Sequence, residues 1–384
     1  MGSIPTSRPT LRDNLAFYNP TPCDSGPLIF RSSALPPDPL WLTPYRPIAI
    51  FRGGHAQTLL GNFWLRASLK EVAEAESVVV DEADQSRILC HCHWQRDGQT
   101  RRVLAERLTV LIVHGLEGSS NSGYVCGITA LALQAGCNVI RMNMRNCGDT
   151  DAWTPTLYHS ARSDDVTAVV HHFQQKHHLT RMAMIGYSMG GNLVLKLAGE
   201  VGSDAPEWMV AAAVVSPVTD LAESADALHE RSNRIYERNF LKRLRRRFRR
   251  KAQLFPERYS RVGLPSIRSI RDFDNAVTAP HSGFSDADDY YFRASSARRA
   301  DAIRIPTLIL NALDDPFIRM RADTRQKLWA NQAVRLIETQ HGGHCAFLAR
   351  RERSETFHRH WAERTVTDFV IAAASMATER WNGS

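Results

Sequence analysis

The sequence has no uninterrupted apolar run of the roughly 18 residues that a membrane-spanning helix requires. Its first residues hold no basic segment followed by an apolar one, the mark of a secretory signal peptide. Its seven cysteines are odd in number and spread over 384 residues, unlike a disulfide framework. These absences argue against a membrane-spanning or secreted, disulfide-stabilised protein. We therefore expect a soluble protein of the cytoplasm.

Charge is present but unevenly placed. Charged residues make up 23% of the chain and the formal net charge is +8. A basic balance suggests contact with nucleic acid or an anionic membrane. Much of the excess lies between residues 242 and 251, so it describes one local patch rather than the whole surface.

From residue 77 onward, short apolar runs alternate with longer helical patterns. Continuous β-branched runs are typical of strands that are buried on both faces. This alternation predicts a mostly parallel central sheet flanked by helices. The predicted strands are residues 78–80, 88–94, 109–113, 138–142, 182–185, 210–215, 305–310 and 334–337, and the clearest helices are 124–135, 163–175 and 191–199.

One motif assigns chemistry to this sheet. Gly186, Tyr187, Ser188, Met189 and Gly190 follow a predicted strand and precede a predicted helix. This is the G-x-S-x-G nucleophile elbow of the α/β-hydrolase fold in its required strand–turn–helix setting. Glycines are needed because the sharp turn strains the serine backbone and leaves no room for neighbouring side chains. The motif predicts Ser188 as a catalytic nucleophile.

A serine hydroxyl needs an adjacent base that a carboxylate orients, and this fold supplies them in the order Ser, acid, His. The strand at 305–310 runs into Asp314 and Asp315; we predict Asp315 as the acid, with Asp314 as the alternative. After the last predicted strand, His344 follows two glycines that leave room for its ring. We predict His344 as the base, with His341 as the alternative.

An acyl-transfer enzyme also needs two N–H groups directed at the developing oxyanion. The predicted donors are the backbone N–H groups of Leu116, in a loop after an early strand, and of Met189. His114 and Tyr187 adjoin these segments and are predicted to bind substrate, although His114 could equally be a core residue. No cofactor is expected. The Cys90–His93 repeat could suggest a metal, but in a strand its cysteines and histidines would point to opposite faces, so we predict no metal site.

Several further motifs resemble the YheT-like branch of the α/β-hydrolases, also called the AB-hydrolase-4 family. The resemblance covers residues 45–350, with Asn146, Cys147, Cys345 and Ala346 departing from the usual residues, and its motifs lie at residues 52–58, 143–148, 273–291, 312–317 and 342–347. It implies a Ser/Asp/His esterase that acts on acyl esters, and in some relatives on phospholipids or acylglycerols. His55 and Gln57 match its early motif, for which we favour a structural role.

The fold predicts four parts along the chain: a proline-rich extended N-terminal arm packed on the body (1–65), the first part of the core (66–216), a helical lid insertion (217–304) and the second part of the core (305–384). Within the lid we predict a helical stretch at 220–251 and a polar, aromatic-containing loop at 273–292.

The basic segment 241–251 carries eight positive charges. Leu241, Leu244 and Phe248 recur at helical spacing, so a helix would present a thin apolar stripe with basic flanks. Three interpretations are open. The segment could rest on an anionic membrane, or it could be a solvated face of the lid. It could also bind nucleic acid, but the interleaved aromatic residues that would support this are lacking.

Three hypotheses for function follow. The first is a carboxylic ester hydrolase that takes a small acyl ester as substrate, with lipid esters among the candidates. The second is a non-catalytic hydrolase-fold scaffold, and the third is an amide or thioester hydrolase with the same triad. Oligomeric state is left open.

Overall fold

Apolar strands organise the molecule around one twisted sheet. The computed structural model describes residues 28–29, 35, 42–48, 53–63, 69, 72–259, 264–350 and 359–382. Within these residues the sheet has nine strands: β1 (Leu28–Ile29), β2 (Glu74–Asp81), β3 (Ser86–His93), β4 (Thr109–Val113), β5 (Asn138–Met142), β6 (Met182–Tyr187), β7 (Met209–Val215), β8 (Thr307–Ala312) and β9 (Val334–Thr339). The strand order is β1-β9-β8-β7-β6-β4-β5-β3-β2. Pairing is parallel from β5 through β4, β6, β7 and β8 to β9, and antiparallel at both edges.

Helices cover both faces of the sheet. The helices are α1 (Gly54–Phe63), α2 (Gly123–Gln134), α3 (Ser163–His177), α4 (Met189–Val201), α5 (Leu221–His229), α6 (Arg234–Leu254), α7 (Ile270–Phe273), α8 (Ala279–His281), α9 (Ala287–Ala294), α10 (Ala322–Ala330) and α11 (Trp361–Asn382). Residues of α3 and α4 pack with one set of strand side chains, and residues of α2 and α11 pack with the other. In β4, Leu111 and Val113 join the first set while Val110 and Ile112 join the second. Burial on both faces explains why this strand is apolar from Val110 to Val113.

Five helices, α5 to α9, lie between β7 and β8, in the segment that the sequence assigned to a lid. We call residues 217–304 the cap. Its side chains form two apolar clusters that are distinct from those of the sheet, one of which also includes Leu157, Phe317 and Ile318 from outside the cap. The predicted helical stretch 220–251 is two helices, because a short 3₁₀ turn at Arg231–Asn233 separates α5 from α6.

Two local predictions were wrong. Residues 273–292 are not a loop: they form a π-helical turn at Asp274–Thr278 together with α8 and α9. Tyr290 and Tyr291 from this segment are buried, so packing of aromatic rings overrides its polar composition. The N-terminal arm is not extended throughout, because α1 lies within it. Most of the arm falls outside the described residues.

Strand β3 shows the alternation that argued against a metal at residues 90–93. Cys90 and Cys92 are buried in the core, whereas His91 Nδ1 lies 2.9 Å from the hydroxyl of Ser120. Across the described part of the chain, no helix combines the length and the hydropathy needed to cross a bilayer.

Candidate active site

The strand-to-helix turn holds Ser188 in a strained conformation. Strand β6 ends at Tyr187 and α4 begins at Met189, so Ser188 lies between them with φ 53° and ψ −117°. A Cβ atom at Gly186 would lie 2.5 Å from the carbonyl oxygen of Gly190, and one at Gly190 would lie 2.4 Å from that of Val113. Backbone atoms cannot move aside cheaply, so both positions require glycine.

Three side chains from distant parts of the sequence meet at this turn. The hydroxyl of Ser188 lies 3.0 Å from Nε2 of His344. The other ring nitrogen, Nδ1, lies 2.9 Å from Oδ2 of Asp315. With the proton on Nδ1 donated to Asp315, Nε2 is free to accept the proton of the serine hydroxyl. The structure therefore brings the three predicted residues into one hydrogen-bonded chain.

The two adjacent aspartates make different contacts. Oδ1 of Asp315 accepts the backbone N–H groups of Phe317 and Ile318 at 3.1 and 3.0 Å, which fixes the carboxylate toward His344. Asp314 instead accepts the N–H of Gly343 at 2.9 Å and lies 3.3 Å from Nδ1 of His341. The geometry favours Asp315 over Asp314 and His344 over His341, because the alternatives bind each other rather than Ser188.

Two opposing influences act on the imidazole of His344. Burial alone would lower its pKa, but the neighbouring Cys345 sulfur and the Asp315 carboxylate together hold the pKa of His344 above its ordinary value. The Cys345 sulfur lies 3.6 Å from Nε2. A raised pKa makes the ring a stronger base for the serine proton.

Helix α1 braces the loop that carries His344. The hydroxyl of Thr58 accepts the backbone N–H of His344 at 2.8 Å. The amide of Gln57 accepts the N–H of Leu348 at 2.9 Å and donates to its carbonyl oxygen at 3.4 Å. His55 stacks on Tyr236 of the cap, with its Nδ1 3.1 Å from the hydroxyl. These contacts agree with the structural role that the sequence favoured for His55 and Gln57.

The predicted oxyanion donors flank the serine. Leu116, Ser188 and Met189 line the same cavity. Met189 is the first residue of α4, where backbone N–H groups have no partner within the helix and the helix dipole favours negative charge. Both segments therefore adjoin Ser188 at the wall of this cavity.

A salt bridge ties the Leu116 loop to the cap. Glu117, which follows Leu116, has φ 56°, and its carboxylate accepts from Arg247 of α6 at 2.7 Å and from the hydroxyl of Tyr158 at 2.6 Å. Arg247 also donates to the carbonyl of Asn146. Both charged side chains are mostly buried. Sequence reasoning missed this pair, since nothing in the local sequence connects residues 130 positions apart.

The structure does not place His114 or Tyr187 in the wall of the cavity formed by the described residues, which corrects their assignment to substrate binding. Nε2 of His114 accepts the N–H of Met144 at 3.0 Å, and its Nδ1 donates to the carbonyl of Gly115 at 2.8 Å. Burial lowers the pKa of His114 to about 4. Tyr187 stacks on Tyr124 behind the loop. Both residues contact the segment before Leu116 from inside the core.

The cavity that contains Ser188 has a volume of about 960 Å³ including its opening to solvent. Most of its lining side chains are apolar and come from the cap, among them Leu221, Phe240, Leu244 and Phe273. One stretch of wall is polar: the buried carboxyl of Asp274 accepts from the hydroxyls of Tyr291 and Thr278 at 2.7 and 2.6 Å. Burial raises the pKa of Asp274 to about 6. Sequence reasoning missed this wall because it assigned the segment to a loop.

Comparison with known proteins agrees with this architecture. The sequence profile described as alpha/beta hydrolase fold matches residues 109–350, which is more than half of the chain. The chain belongs to the alpha/beta hydrolase fold family. The predicted fold is confirmed.

Individual relatives are more specific. The protein named "Putative esterase YheT" of Escherichia coli (strain K12) is 32% identical over 62% of this chain and 70% of its own length. Phospholipase ABHD3 of Mus musculus is 32% identical over 63% of this chain, and the match spans 59% of that relative. The crystal structure of 2,6-dihydroxy-pseudo-oxynicotine hydrolase is 17% identical with a TM-score of 0.51, over 78% of this chain and 68% of that one; it shows the fold alone. The predicted YheT-like branch is confirmed.

Proposed function

We propose that this protein is a serine hydrolase that cleaves carboxylic esters through an acyl-enzyme, with Ser188, His344 and Asp315 as its catalytic residues. The observation that carries the proposal is the continuous hydrogen-bonded chain from Ser188 through His344 to Asp315 at the strained turn after β6. Ester hydrolysis as the general activity agrees with the names of the relatives, an esterase and a phospholipase.

The proposed reaction runs in two halves. The Ser188 oxygen attacks the ester carbonyl carbon while Nε2 of His344 takes the hydroxyl proton, and Asp315 stabilises the imidazolium that forms. The N–H groups of Leu116 and Met189 hold the oxyanion. Collapse of the tetrahedral intermediate breaks the bond to the alcohol, which leaves with the proton from His344. Water then attacks the acyl-enzyme in the same way and releases the acid and Ser188.

The cavity supports an ester with an apolar acyl chain. Its cap-derived walls are mainly aliphatic and aromatic, and each buried methylene contributes about 0.8 kcal/mol, or roughly fourfold in affinity. We therefore expect kcat/KM for p-nitrophenyl esters to rise from acetate toward longer chains until the cavity is filled. The same chemistry would also serve a thioester or an amide, so a matched thioester and anilide belong in the substrate panel.

The deciding experiment compares the wild type with Ser188→Ala on p-nitrophenyl butyrate and on a fluorophosphonate probe. We expect the wild type to hydrolyse the ester and to be labelled, and Ser188→Ala to lose labelling and about 10⁴-fold or more of kcat. Circular dichroism of both proteins controls for folding. A folded wild type that neither hydrolyses nor labels would favour the scaffold hypothesis; labelling that survives Ser188→Ala would place the nucleophile elsewhere.

A further inference from the structure

Helix α6 accounts for the whole positive net charge of the chain. Ten of the 48 basic residues and one of the 40 acidic residues lie on it. The rest of the chain, with 38 basic and 39 acidic side chains, is close to neutral. The one acid of the helix, Glu237, is buried and lies 3.1 Å from both Nδ1 of His229 and the N–H of Ile270.

The inner face of α6 packs against the rest of the protein. Leu241 and Phe248 are buried, and Leu244 packs beside them. Three basic residues on its flanks are used structurally: Arg247 binds Glu117, Lys251 donates to the carbonyl of Asp151 at 3.0 Å, and Arg245 donates to that of Ile267. The apolar stripe that the sequence predicted therefore faces the cavity and the body, and it is not available to enter a membrane.

The outer face of α6 is a band of unpaired cations. Seven basic side chains are exposed, and within the described part of the chain none of them forms an ion pair with a carboxylate: Arg234, Arg238, Lys242, Arg243, Arg246, Arg249 and Arg250. Their helical spacing places them on one side of the helix, over about 24 Å of its length. Such a density of like charge costs free energy unless an anionic partner covers it.

We propose that the outer face of α6 docks electrostatically on an anionic lipid bilayer. This inference rests on the proposed function, because a lipid ester is the substrate that gives such docking a purpose: the helix that would touch the bilayer also lines the cavity that holds Ser188. Docking is by charge and not by insertion, because Ile235, 66% exposed, is the one large apolar side chain of this helix that stands open to solvent.

The composition of the face favours a bilayer over a nucleic acid. The exposed positions from 234 to 250 carry arginine, lysine, one isoleucine and one asparagine, and no aromatic side chain on which a base could stack. A single helix with a continuous basic band suits a flat anionic surface. Each basic residue near such a surface contributes roughly fivefold to membrane partitioning, so seven provide strong but salt-sensitive binding.

The test is co-sedimentation of the full chain with vesicles of phosphatidylcholine alone or with 30% phosphatidylserine, at about 0.1 and 0.5 M KCl. We expect binding to the anionic vesicles only, lost at the higher salt. The variant Lys242→Glu, Arg246→Glu, Arg249→Glu should bind at least about 100-fold more weakly.

A matched control carries the same change in net charge elsewhere. Arg102 and Arg107, which precede β4, and Lys327, on α10, are exposed and do not line the cavity that contains Ser188. The variant Arg102→Glu, Arg107→Glu, Lys327→Glu should bind anionic vesicles almost as the wild type does. Equal weakening of the two variants, or equal wild-type binding to both kinds of vesicle, would overturn the proposal. Tighter binding to a single-stranded oligonucleotide than to anionic vesicles would overturn it in favour of nucleic acid.

Hydrolysis of water-soluble p-nitrophenyl butyrate, measured on the same samples, separates the two proposals. If the wild type binds anionic vesicles through α6 but does not hydrolyse this ester, the docking surface stands and the catalytic proposal fails. If it hydrolyses the ester but ignores the vesicles, the docking proposal alone fails.

Discussion

Different interactions stabilise the core of this hydrolase and attach its cap. Strands β4 to β9 are buried along their whole length, and apolar contact with helices on both faces fixes them. The cap carries the basic helix α6, which is attached to the core through buried or half-buried charges, Arg247 to Glu117 and Lys251 to backbone carbonyls. Changes in the proposed triad should therefore abolish chemistry without unfolding the protein, whereas changes in these charges should loosen the cap.

The largest effect is expected in the core, from two neighbouring carboxylates. Asp315→Asn should reduce kcat by about 10⁴-fold, because an amide facing Nδ1 favours the wrong imidazole tautomer. Asp314→Asn, the matched control, should stay within about tenfold of the wild type, since Asp314 binds Gly343 and His341 and not His344. Steady-state kinetics on p-nitrophenyl butyrate measures both. The opposite ranking would move the acid to Asp314.

The Asp315→Asn variant also tests why the pKa of His344 is raised. Only the neutral imidazole accepts the serine proton, so kcat/KM should rise with pH through this pKa, which lies above its ordinary value in the wild type. Loss of the Asp315 carboxylate removes one cause of the increase, so the acidic limb of Asp315→Asn should move to lower pH. An unchanged or higher midpoint in that variant would contradict the assignment.

In the cap, the largest effect should come from Arg247. Arg247→Met leaves the buried Glu117 carboxylate without its main partner, which typically costs about 3–5 kcal/mol. Urea unfolding should show that loss, and Glu117→Gln combined with Arg247→Met should recover part of it. If the double variant is no more stable than Arg247→Met, the two residues are not coupled.

A smaller effect is expected where α1 meets the catalytic loop. Thr58→Val leaves the buried N–H of His344 without its acceptor, at a cost of about 1–3 kcal/mol, and should lower kcat roughly tenfold as the imidazole loses its position. Thr58→Ser keeps the hydroxyl and should retain most of the activity. A loss in Thr58→Ser as large as that in Thr58→Val would show that the hydrogen bond does not by itself account for the effect.

The smallest expected effect is on how the free energy of unfolding depends on pH. Burial lowers the pKa of Lys251 to about 7, whereas the unfolded chain keeps a value of about 10.4. Between these values the unfolded state binds more protons than the folded state, so the free energy of unfolding should increase from pH 7 to pH 9. Lys251→Met should flatten this slope in urea titrations. Identical slopes would show that Lys251 stays charged in its contact with the Asp151 and Thr154 carbonyls.

The core was predictable because local sequence and tertiary burial agree there. Strands β4 and β5 have the predicted bounds, since both are covered on both faces and carry mostly apolar side chains. Chain order and strand ends also led from Ser188 to Asp315 and His344, which the structure brings within hydrogen-bonding distance. In the cap, local sequence and tertiary burial disagree. Residues 273–292 are polar in sequence, yet they fold as short helices around Tyr290 and Tyr291. They do so because those two rings pack into an apolar cluster.

The sequence alone determined the alternation of strands and helices, the position of the sharp turn at Ser188 and the identity of the groups that follow the later strands, because each depends on residues close together in the chain. Only the tertiary structure decided which of two adjacent aspartates faces the imidazole, that His114 and Tyr187 are buried behind the Leu116 loop, and which face of α6 is turned outward. Those outcomes depend on the direction of side chains and on partners more than a hundred residues away, and no local pattern records either.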